Sequence, residues 1–314
     1  MTASTTATVG SVDLLLRGRR QELRGRVFEG LLLLTLLVAL LILLALLFSI
    51  VRRGWPVFAE RGMDFLTAPK SSLPQRAGVA QGLIGSLILM VFVAALAFPL
   101  GIGAAVYLEE YARDSRLTRI IVTNIRNLAG VPAIVYGILG LVIFVDFLRR
   151  VTGPGGGKPG ASYISGGLTL AVLVMPIVII TTMEALRAVP LSIREAAYGV
   201  GATRWEVVRS HVLPYAAPGV LTGTILSLAR AFGETAPLLL VGAITGFLAT
   251  GRGTFLETLR GPYTTLPTIV FDWARQPVQE FQQLTSAAIM VLLGTILVVN
   301  SVAIVLRNRY ERRW

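Results

Sequence analysis

The chain has 314 residues, of which 54% are hydrophobic and 15% are charged, and its mean hydropathy is +0.72. This composition excludes an ordinary soluble globular protein. The absence of cysteine and the single histidine exclude disulfides, thiolate sites and multi-histidine sites, so we expect no bound metal. We attribute the net charge of +12 to arginines next to anionic lipid and not to a nucleic-acid site, because they are dispersed between apolar runs.

The amino-terminal region is predicted to be a tail followed by a membrane span. Residues 1–30 begin with a small polar tract and continue with five arginines, which indicates a disordered basic tail. Residues 31–51 are an almost unbroken aliphatic run, long enough to cross about 30 Å of hydrocarbon. The run is longer than the core of a secretory signal and has no small-residue cleavage site, so we predict an uncleaved first span. Residues 52–80 are predicted to form a polar loop broken by prolines such as Pro56.

Two further spans and a connector are predicted next. The second span covers about residues 82–106 and the third about residues 128–148, and an amphipathic charged connector at residues 107–126 joins them. The glycine-rich loop at residues 153–160 does not have the spacing of a phosphate-binding loop, because Lys158 is followed by a proline instead of serine or threonine. We therefore expect any ATP to be hydrolysed on another polypeptide.

The second half of the chain completes an all-α integral membrane architecture with six transmembrane helices. The fourth, fifth and sixth spans cover about residues 166–186, 218–243 and 284–306. The aromatic-rich loop at residues 245–283 is predicted to contain a short helix resting at the membrane interface, and residues 307–314 form a basic tail. Arginine and lysine number 17 on the side of both termini and 11 on the opposite side, which predicts that both termini are cytoplasmic.

A polar segment, residues 192–214, separates the fourth span from the fifth. Ser192 lies three residues before Glu195, which is the spacing of a capping box that would start a helix. Gly201 permits a sharp backbone turn, and a second short helix is predicted after it and is expected to stop at Pro214. Two short helices at an angle predict a knob that projects from the membrane surface, and an ordinary amphipathic connector is the alternative.

The sequence ARAFGETAP, residues 229–237, places two charged residues inside the predicted fifth span. Arg230 and Glu234 are four residues apart, so they share a helix face and can pair. A lone arginine at the centre of a bilayer costs about 2.5–3.5 kcal/mol on insertion scales. The pair is either a structural ion pair that fixes helix packing, or the charged lining of an anion pathway that includes the neighbouring Thr235.

In the pathway interpretation, Arg230 offers a planar set of donors to an oxyanion. Glu234 would orient that guanidinium, or accept a proton from a substrate that still carries one, as phosphate does at neutral pH and sulfate does not. Arg126 and Asn127 lie at the predicted cytoplasmic mouth of the third span. They would either line the exit of the pathway or bind lipid headgroups.

The polar segment resembles the EAA loop of ABC importer permeases. Its sequence EAAYGVGATRWEVVRSHVLP matches the family pattern at Glu195, Ala196, Ala197, Gly201, Leu213 and Pro214. His211 stands where the family usually has isoleucine or valine. The segments ARAFGETAP, NLAGVPAIVYGILG (residues 127–140) and LPTIVFDWARQP (residues 266–277) further resemble the PstA-type permease of the phosphate-specific ABC importer. The resemblance covers about residues 80–306, so we expect the permease domain at residues 81–306.

The resemblance implies a type I ABC importer permease fold, MetI-like, with a cytoplasmic coupling helix at residues 192–214 that docks on an ATPase. The residues expected to couple to the ATPase are Glu195, Ala196, Ala197, Gly201, Thr203, Arg204, Trp205, Leu213 and Pro214. The resemblance also implies a transporter subunit and not an enzyme. It implies no cofactor in this chain, with ATP and magnesium bound to the partner ATPase dimer. The other implied partners are a second homologous permease, an extracytoplasmic phosphate-binding protein and membrane lipid, in the bacterial or archaeal cytoplasmic membrane.

Several alternatives remain open from the sequence. The chain could be the PstC-type half of the same importer, although that half tends to carry a methionine soon after G-E-T, where this chain has Ala236-Pro237. It could be a permease of the same architecture for sulfate or molybdate. A different class is a secondary transporter or channel that works without an ATPase, which would not need the polar segment and would often show an internal repeat. A lipid-binding scaffold would have no use for Arg230 and Glu234 inside a span.

Overall fold

The computed structural model describes residues 23–154, 158–243 and 254–310, and the regular secondary structure within these ranges is helical. The chain divides into two compact units, residues 1–52 and residues 53–314. The predicted basic tail over residues 1–30 lies mostly outside the described residues, as do residues 311–314 of the carboxy-terminal tail. The all-α prediction is confirmed for the part of the chain that is described.

Fourteen α-helices follow one another in the described ranges. They are α1 (Leu23–Arg61), α2 (Asp64–Thr67), α3 (Ala80–Val106), α4 (Arg116–Ala129), α5 (Ala133–Gly140), α6 (Arg149–Thr152), α7 (Tyr163–Arg187), α8 (Leu191–Gly199), α9 (Arg204–Val207), α10 (Leu213–Gly233), α11 (Ala236–Leu240), α12 (Phe255–Arg260), α13 (Leu266–Ala274) and α14 (Gln279–Tyr310). Wider π turns extend α3, α5 and α9, at Tyr107–Tyr111, Leu141–Phe147 and Val208–Val212.

Five continuous helical stretches are long and apolar enough to cross a membrane: Gly25–Arg61, Ala80–Tyr111, Tyr163–Arg187, Arg204–Gly233 and Gln279–Arg309. The sixth is a broken pair, Arg116–Ala129 and Ala133–Phe147, which is bent by 101°. The six predicted spans correspond to these five helices and the broken pair. An integral membrane protein of several spans follows from their length and composition.

The predicted loop at residues 52–80 begins later than expected. Helix α1 continues through Pro56 and ends at Arg61, and the chain leaves it at Gly62 with a φ of +51°. Tertiary packing explains the difference. A Cβ on Gly54 would lie 2.8 Å from the Ala287 amide nitrogen, so this part of the helix approaches α14 closely. The buried Val57 adds to the packing. These contacts offset the backbone hydrogen bond that is lost because Pro56 has no amide hydrogen.

The predicted connector at residues 107–126 is also helical, which moves the third span. Residues Tyr107–Tyr111 extend α3, and α4 begins after Ser115, whose hydroxyl accepts from the Thr118 amide at 3.1 Å. Leu128, the predicted start of the third span, instead lies at the end of α4. The helix is interrupted before Pro132, because the residue ahead of a proline is pushed out of the helical conformation.

Helix α7 lies at the centre of the second unit and packs on α3, α4, α5 and α10. Its contact with α5 requires a glycine: a Cβ on Gly140 would collide with the Thr169 side chain. Buried apolar residues from α3 and α7, among them Val93 and Val174, form the largest cluster of the core. Small residues therefore let the helices approach closely, as is usual in membrane bundles.

Two aromatic residues of the loop at residues 245–283 are buried inside the protein. Tyr263 and Trp273 are 0% and 1% exposed, because α13 is packed between α3 and α14. The first amide of α13, that of Leu266, donates to the Ser86 hydroxyl at 2.9 Å. An internal hydrogen bond therefore satisfies the start of α13 inside the protein, and the interfacial location stays a prediction. Residues 244–253 lie outside the described ranges.

Candidate functional site

The first helix of the polar segment starts earlier than its sequence indicates. Helix α8 begins at Leu191, directly after Pro190, and no side chain caps it. Ser192 is the second residue of the helix and Glu195 lies in its interior, so the predicted capping box between them is wrong. Pro190 sets the boundary instead, since its backbone is held in an extended conformation with ψ at 138°.

The turn predicted at Gly201 is present. Its φ is +86°, a conformation that only glycine adopts without strain. Two residues later the chain forms a capping box that the sequence analysis missed: the Thr203 amide donates to the Glu206 carboxylate at 2.8 Å, and the Glu206 amide donates to the Thr203 hydroxyl at 3.4 Å. The T-x-x-E spacing of these residues is the signal that could have located this helix start.

The second helix of the polar segment does not stop at Pro214. Helix α9 passes through the π turn Val208–Val212 into α10, and Pro214 lies in the first turn of α10. A proline in a first turn gives up an amide that has no partner there in any case, and the preceding π turn absorbs the remaining irregularity. The predicted knob is therefore α8, a turn, and the first part of one long helix.

The predicted coupling residues divide into an exposed set and a buried one. Ala197 is 4% exposed and Leu213 is partly buried, whereas the others are exposed: Glu195, Ala196, Gly201, Thr203, Arg204, Trp205 and Pro214. Ala197 packs into an apolar cluster that includes residues of α7 and α10, so this position requires a small side chain.

Exposed apolar side chains also lie on the outer surface of the polar segment. Val200 and Trp205 are 86% and 56% exposed. These two side chains are available to an apolar surface of a partner.

The inner side of the polar segment is bound to the end of α3. Arg187 Nε lies 2.8 Å from Glu109 Oε1, and Arg194 Nη2 lies 2.8 Å from Glu110 Oε1. The guanidinium of Arg204 lies over the Tyr111 ring, 5.1 Å from its centroid.

A cavity of about 590 Å³ lies among these residues. The sequence analysis assigned Glu109 to Tyr111 to a connector and missed this joint. The sequence shows acidic residues at the end of one span and arginines around the polar segment, but no spacing pairs them.

Arg230 and Glu234 lie at the far end of α10, where the helix stops. Arg230 Nε is 3.3 Å from Glu234 Oε1, so the predicted pair exists. Helix α10 ends at Gly233, however, and Glu234 has an extended backbone with ψ at 124°, which ends the predicted fifth span early. The Arg230 side chain is 45% exposed and that of Glu234 is 18% exposed, so the arginine is not enclosed by this chain.

The break after Gly233 lies beside the broken pair α4 and α5. Helix α11, which follows Thr235, packs on α5, and a Cβ on Gly137 would lie 2.6 Å from the Pro237 Cα. Tyr136, on the same helix as Gly137, donates its hydroxyl to the Leu128 carbonyl at 2.8 Å and so bridges the break in the pair. Interrupted helices in a membrane protein are tolerated where they line a cavity or are covered by protein.

The predicted residues thus fall into two groups and not one. Leu213 and Arg230 belong to the same helix, and 17 residues at 1.5 Å each place them about 25 Å apart. Arg126 and Asn127 are exposed in the last turn of α4, next to the break that Tyr136 bridges. One continuous helix therefore connects the polar segment with the charged break.

A bundle of interrupted apolar helices with an arginine at a break and a projecting polar segment defines a membrane transport subunit. The sequence profile of the family of binding-protein-dependent transport system inner membrane components matches residues 97–314. The chain belongs to this family, and the predicted family resemblance is confirmed.

Two relatives show how far the similarity extends. The chain is 33% identical to the phosphate transport system permease protein PstA of Yersinia pestis, over 91% of this chain and 90% of the relative. It is 29% identical to the phosphate transport system permease protein PstC of Mesorhizobium japonicum, over 93% of this chain and 91% of the relative. Both relatives are named as transport permeases, which agrees with a chain that is not an enzyme.

Solved structures confirm the predicted fold. An inward-facing MetNI methionine ABC transporter superposes with a TM-score of 0.57 at 17% identity, covering 74% of this chain and 96% of that chain. A bacterial ABC transporter involved in the import of alginate superposes with a TM-score of 0.65 at 15% identity, covering 92% of this chain and 97% of that chain. The chain has the MetI-like fold of ABC importer permeases.

Proposed function

We propose that this chain is the PstA-type permease subunit of an ATP-driven importer for inorganic phosphate. The observation that carries the proposal is Arg230 at the break after α10, partly exposed and held by a single carboxylate. The names of the PstA and PstC relatives support phosphate over sulfate or molybdate. This chain is similar to both a PstA and a PstC protein. That similarity supports a second, homologous permease as the other half of the pathway.

The polar segment is the surface that couples the permease to a cytoplasmic ATPase dimer. Its exposed outer side carries Trp205 and Val200, which suit an apolar groove on a partner. The excess of arginine and lysine on the side of the polar segment and both termini supports a cytoplasmic location for all three. ATP and magnesium bind to the ATPase in this proposal, this chain binds no cofactor, and an extracytoplasmic binding protein delivers the phosphate.

The guanidinium of Arg230 is positioned to bind an oxyanion. Its bond to Glu234 uses Nε, and among the described residues no other acceptor engages it, so both terminal nitrogens can donate to a second acceptor. Two parallel N–H groups match two oxygens of a phosphate. Glu234 holds the guanidinium in this orientation, and Thr235, beside the break, adds a hydroxyl to the lining.

Helix α4 provides the continuation of the pathway. Val122, Ile125 and Ala129 are partly buried against the bundle, whereas the face that carries Arg119 and Arg126 is exposed. Because α4 is half of a membrane-spanning pair, polar side chains along it need water or protein and not lipid tails. We assign Arg126, with Asn127 beside it, to the cytoplasmic mouth of the pathway.

The test measures the uptake of labelled phosphate, sulfate and molybdate into vesicles. The vesicles hold the complete importer, which is isolated together with this chain. We expect ATP-dependent uptake of phosphate, and a loss of at least twentyfold in the variant Arg230→Gln with normal assembly. Arg76→Gln is the matched control, because Arg76 is exposed in a short turn far along the chain from the break. Arg126→Gln should lower uptake if it lines the mouth and leave it unchanged if it binds lipid.

Each of the other outcomes contradicts a named part of the proposal. Uptake of sulfate or molybdate in place of phosphate would contradict the substrate. Normal phosphate uptake by Arg230→Gln would exclude Arg230 from the pathway and leave the pair with a structural role. Uptake in vesicles without the ATPase would contradict the coupling function of the polar segment and favour a secondary transporter.

A further inference from the structure

Three consecutive residues at the end of α3 each hold an arginine from a different part of the chain. Glu109, Glu110 and Tyr111 contact Arg187 at the end of α7, Arg194 in α8 and Arg204 at the start of α9. We call these three pairs the α3 clamp. The π turn Tyr107–Tyr111 that carries them is an irregularity of the kind that often lies at functional positions.

Arg194 is the central residue of the α3 clamp. Besides Glu110, it donates to the carbonyl oxygens of Leu186 at 2.9 Å and Val189 at 2.7 Å. Leu186 lies in the last turn of α7 and Val189 just after it, where carbonyls have no partner within the helix. Arg194 therefore binds the end of α7 and the turn after it while it binds α3 from α8. Its side chain is 17% exposed and that of Glu110 is 10% exposed, so solvent screens this pair less than a surface pair.

The α3 clamp is the polar link between α3 and the polar segment. The polar segment is covalently joined to α7 on one side and runs into α10 on the other, whereas α3 belongs to a separate stretch of the chain. The charged residues of the clamp line an open cavity of about 590 Å³, so their ion pairs lie at its wall and not in a close-packed core. Farther along α3, Ile102 and Val106 make apolar contact with the cluster beneath α8, so the fold does not depend on the clamp alone.

We propose that the α3 clamp, with Glu110 and Arg194 as its positioning residues, makes α3, the end of α7 and α8 move as one body during transport. A displacement of α8 then reaches α3 directly, in addition to the helices to which the polar segment is covalently joined. This inference rests on the proposed role of the polar segment as the surface that meets the ATPase. It adds a route by which that movement reaches the membrane helices.

The test compares phosphate moved per ATP hydrolysed in vesicles that hold the complete importer. In Glu110→Gln we expect the ATPase to assemble and hydrolyse ATP, while phosphate moved per ATP falls at least threefold. Arg194→Gln should give a similar fall, and the double variant should be no worse than either single one, because the two residues act through one contact. A purely structural role would reduce the amount of assembled complex and leave the ratio unchanged.

Asp114→Asn is the matched control. Asp114 and Arg119 form an ion pair near the α3 clamp, with side chains 86% and 72% exposed, and such a pair contributes little to stability. We expect its ratio to stay at the native value. A native ratio in Glu110→Gln, or an equal fall in Asp114→Asn, would overturn the proposal. Additive losses in the double variant would overturn it as well.

Two further variants keep the test decisive. If Glu110→Gln does not assemble, Glu109→Gln weakens a clamp pair whose arginine is 49% exposed, and it must lower the ratio for the proposal to stand. Trp205→Ala, on the outer surface, separates this proposal from the function of the polar segment. If Trp205→Ala impairs coupling and both clamp variants do not, only the clamp proposal fails, whereas no effect of Trp205→Ala contradicts the ATPase-facing role itself.

Discussion

The two regions connected by α10 hold their arginines in opposite ways. At the polar segment, Arg194 binds a carboxylate and two carbonyl oxygens within 2.9 Å, and its side chain is 17% exposed. At the break after Gly233, Arg230 has one bond of 3.3 Å, and its side chain is 45% exposed. The first arginine has its donors engaged inside the protein, and the second keeps donors available for another molecule.

In the proposed function, this difference lets one helix serve two tasks. A region that transmits movement must keep its internal contacts, because a loose joint would absorb the displacement. A region that passes an anion must release it, so its donors need to be available but not saturated. Since α9 and α10 form one continuous helix, a movement of the polar segment is carried toward Arg230 without an intervening loop.

The largest effect is expected from breaking the turn in the polar segment. Gly201 has a φ of +86°, and proline is restricted to about −65°, so Gly201→Pro cannot keep the angle between α8 and α9. We expect at least a twentyfold loss of phosphate uptake and of ATP hydrolysis stimulated by the loaded binding protein, while the protein still inserts into the membrane. Both rates are measured in vesicles that hold the complete importer.

Gly199→Ala is the control for this variant. Gly199 lies two residues away and ends α8, with no positive φ and nothing within 4 Å of a Cβ in the described part of the chain. It should behave as the native protein. Unchanged stimulation of ATP hydrolysis in Gly201→Pro would show that the shape of the polar segment does not matter for coupling. The polar segment would then have no need of the fixed internal contacts that distinguish it from the break at Arg230.

The sequence predicted features that depend on one residue's backbone or on hydrophobic length. The turn at Gly201 follows from a property of glycine alone, and the spans follow from apolar runs long enough for a bilayer. The pairing of Arg230 with Glu234 was predictable because the two residues are four apart in the chain.

Features that depend on tertiary contacts were not predictable from local rules. Helix α1 passes through Pro56 because Gly54 approaches α14 closely, and α10 includes Pro214 because a π turn precedes it. The α3 clamp joins residues 78 and 84 positions apart, and no local spacing indicates which acidic residue an arginine will contact. The burial of Trp273 in α13 likewise depends on neighbours supplied by other helices.

A smaller effect is expected at the other end of α10, and it sharpens the assignment of Glu234. Glutamine keeps an oxygen that can accept from Arg230 Nε, so Glu234→Gln should preserve much of the orientation that the 3.3 Å contact provides. We expect phosphate uptake to fall about three- to fivefold, well short of the loss in Arg230→Gln. Uptake is measured in both variants side by side, at equal amounts of assembled complex.

The two other outcomes for Glu234→Gln are equally informative. A complete block would contradict a purely orienting role, because it would mean that the carboxylate itself contacts the substrate. Full native uptake would show that Arg230 does not need the Glu234 carboxylate to hold its orientation. The free donors of Arg230 would then be sufficient for its function.

The smallest effect is expected at the capping box that starts α9. Thr203→Ala removes the hydroxyl that accepts from the Glu206 amide, and the loss of such a cap costs about 1 kcal/mol. Helix α9 is continuous with α10, and its Val207 and the following Val212 are buried in the apolar cluster, so the helix should persist and only its first turn should loosen. We expect phosphate moved per ATP to fall less than twofold, and Thr203→Ser, which keeps the hydroxyl, to match the native protein. A loss in Thr203→Ala as large as that in Gly201→Pro would mean that the ATPase recognises the Thr203 side chain itself, and the polar segment would then act by direct contact at this residue more than by its rigidity.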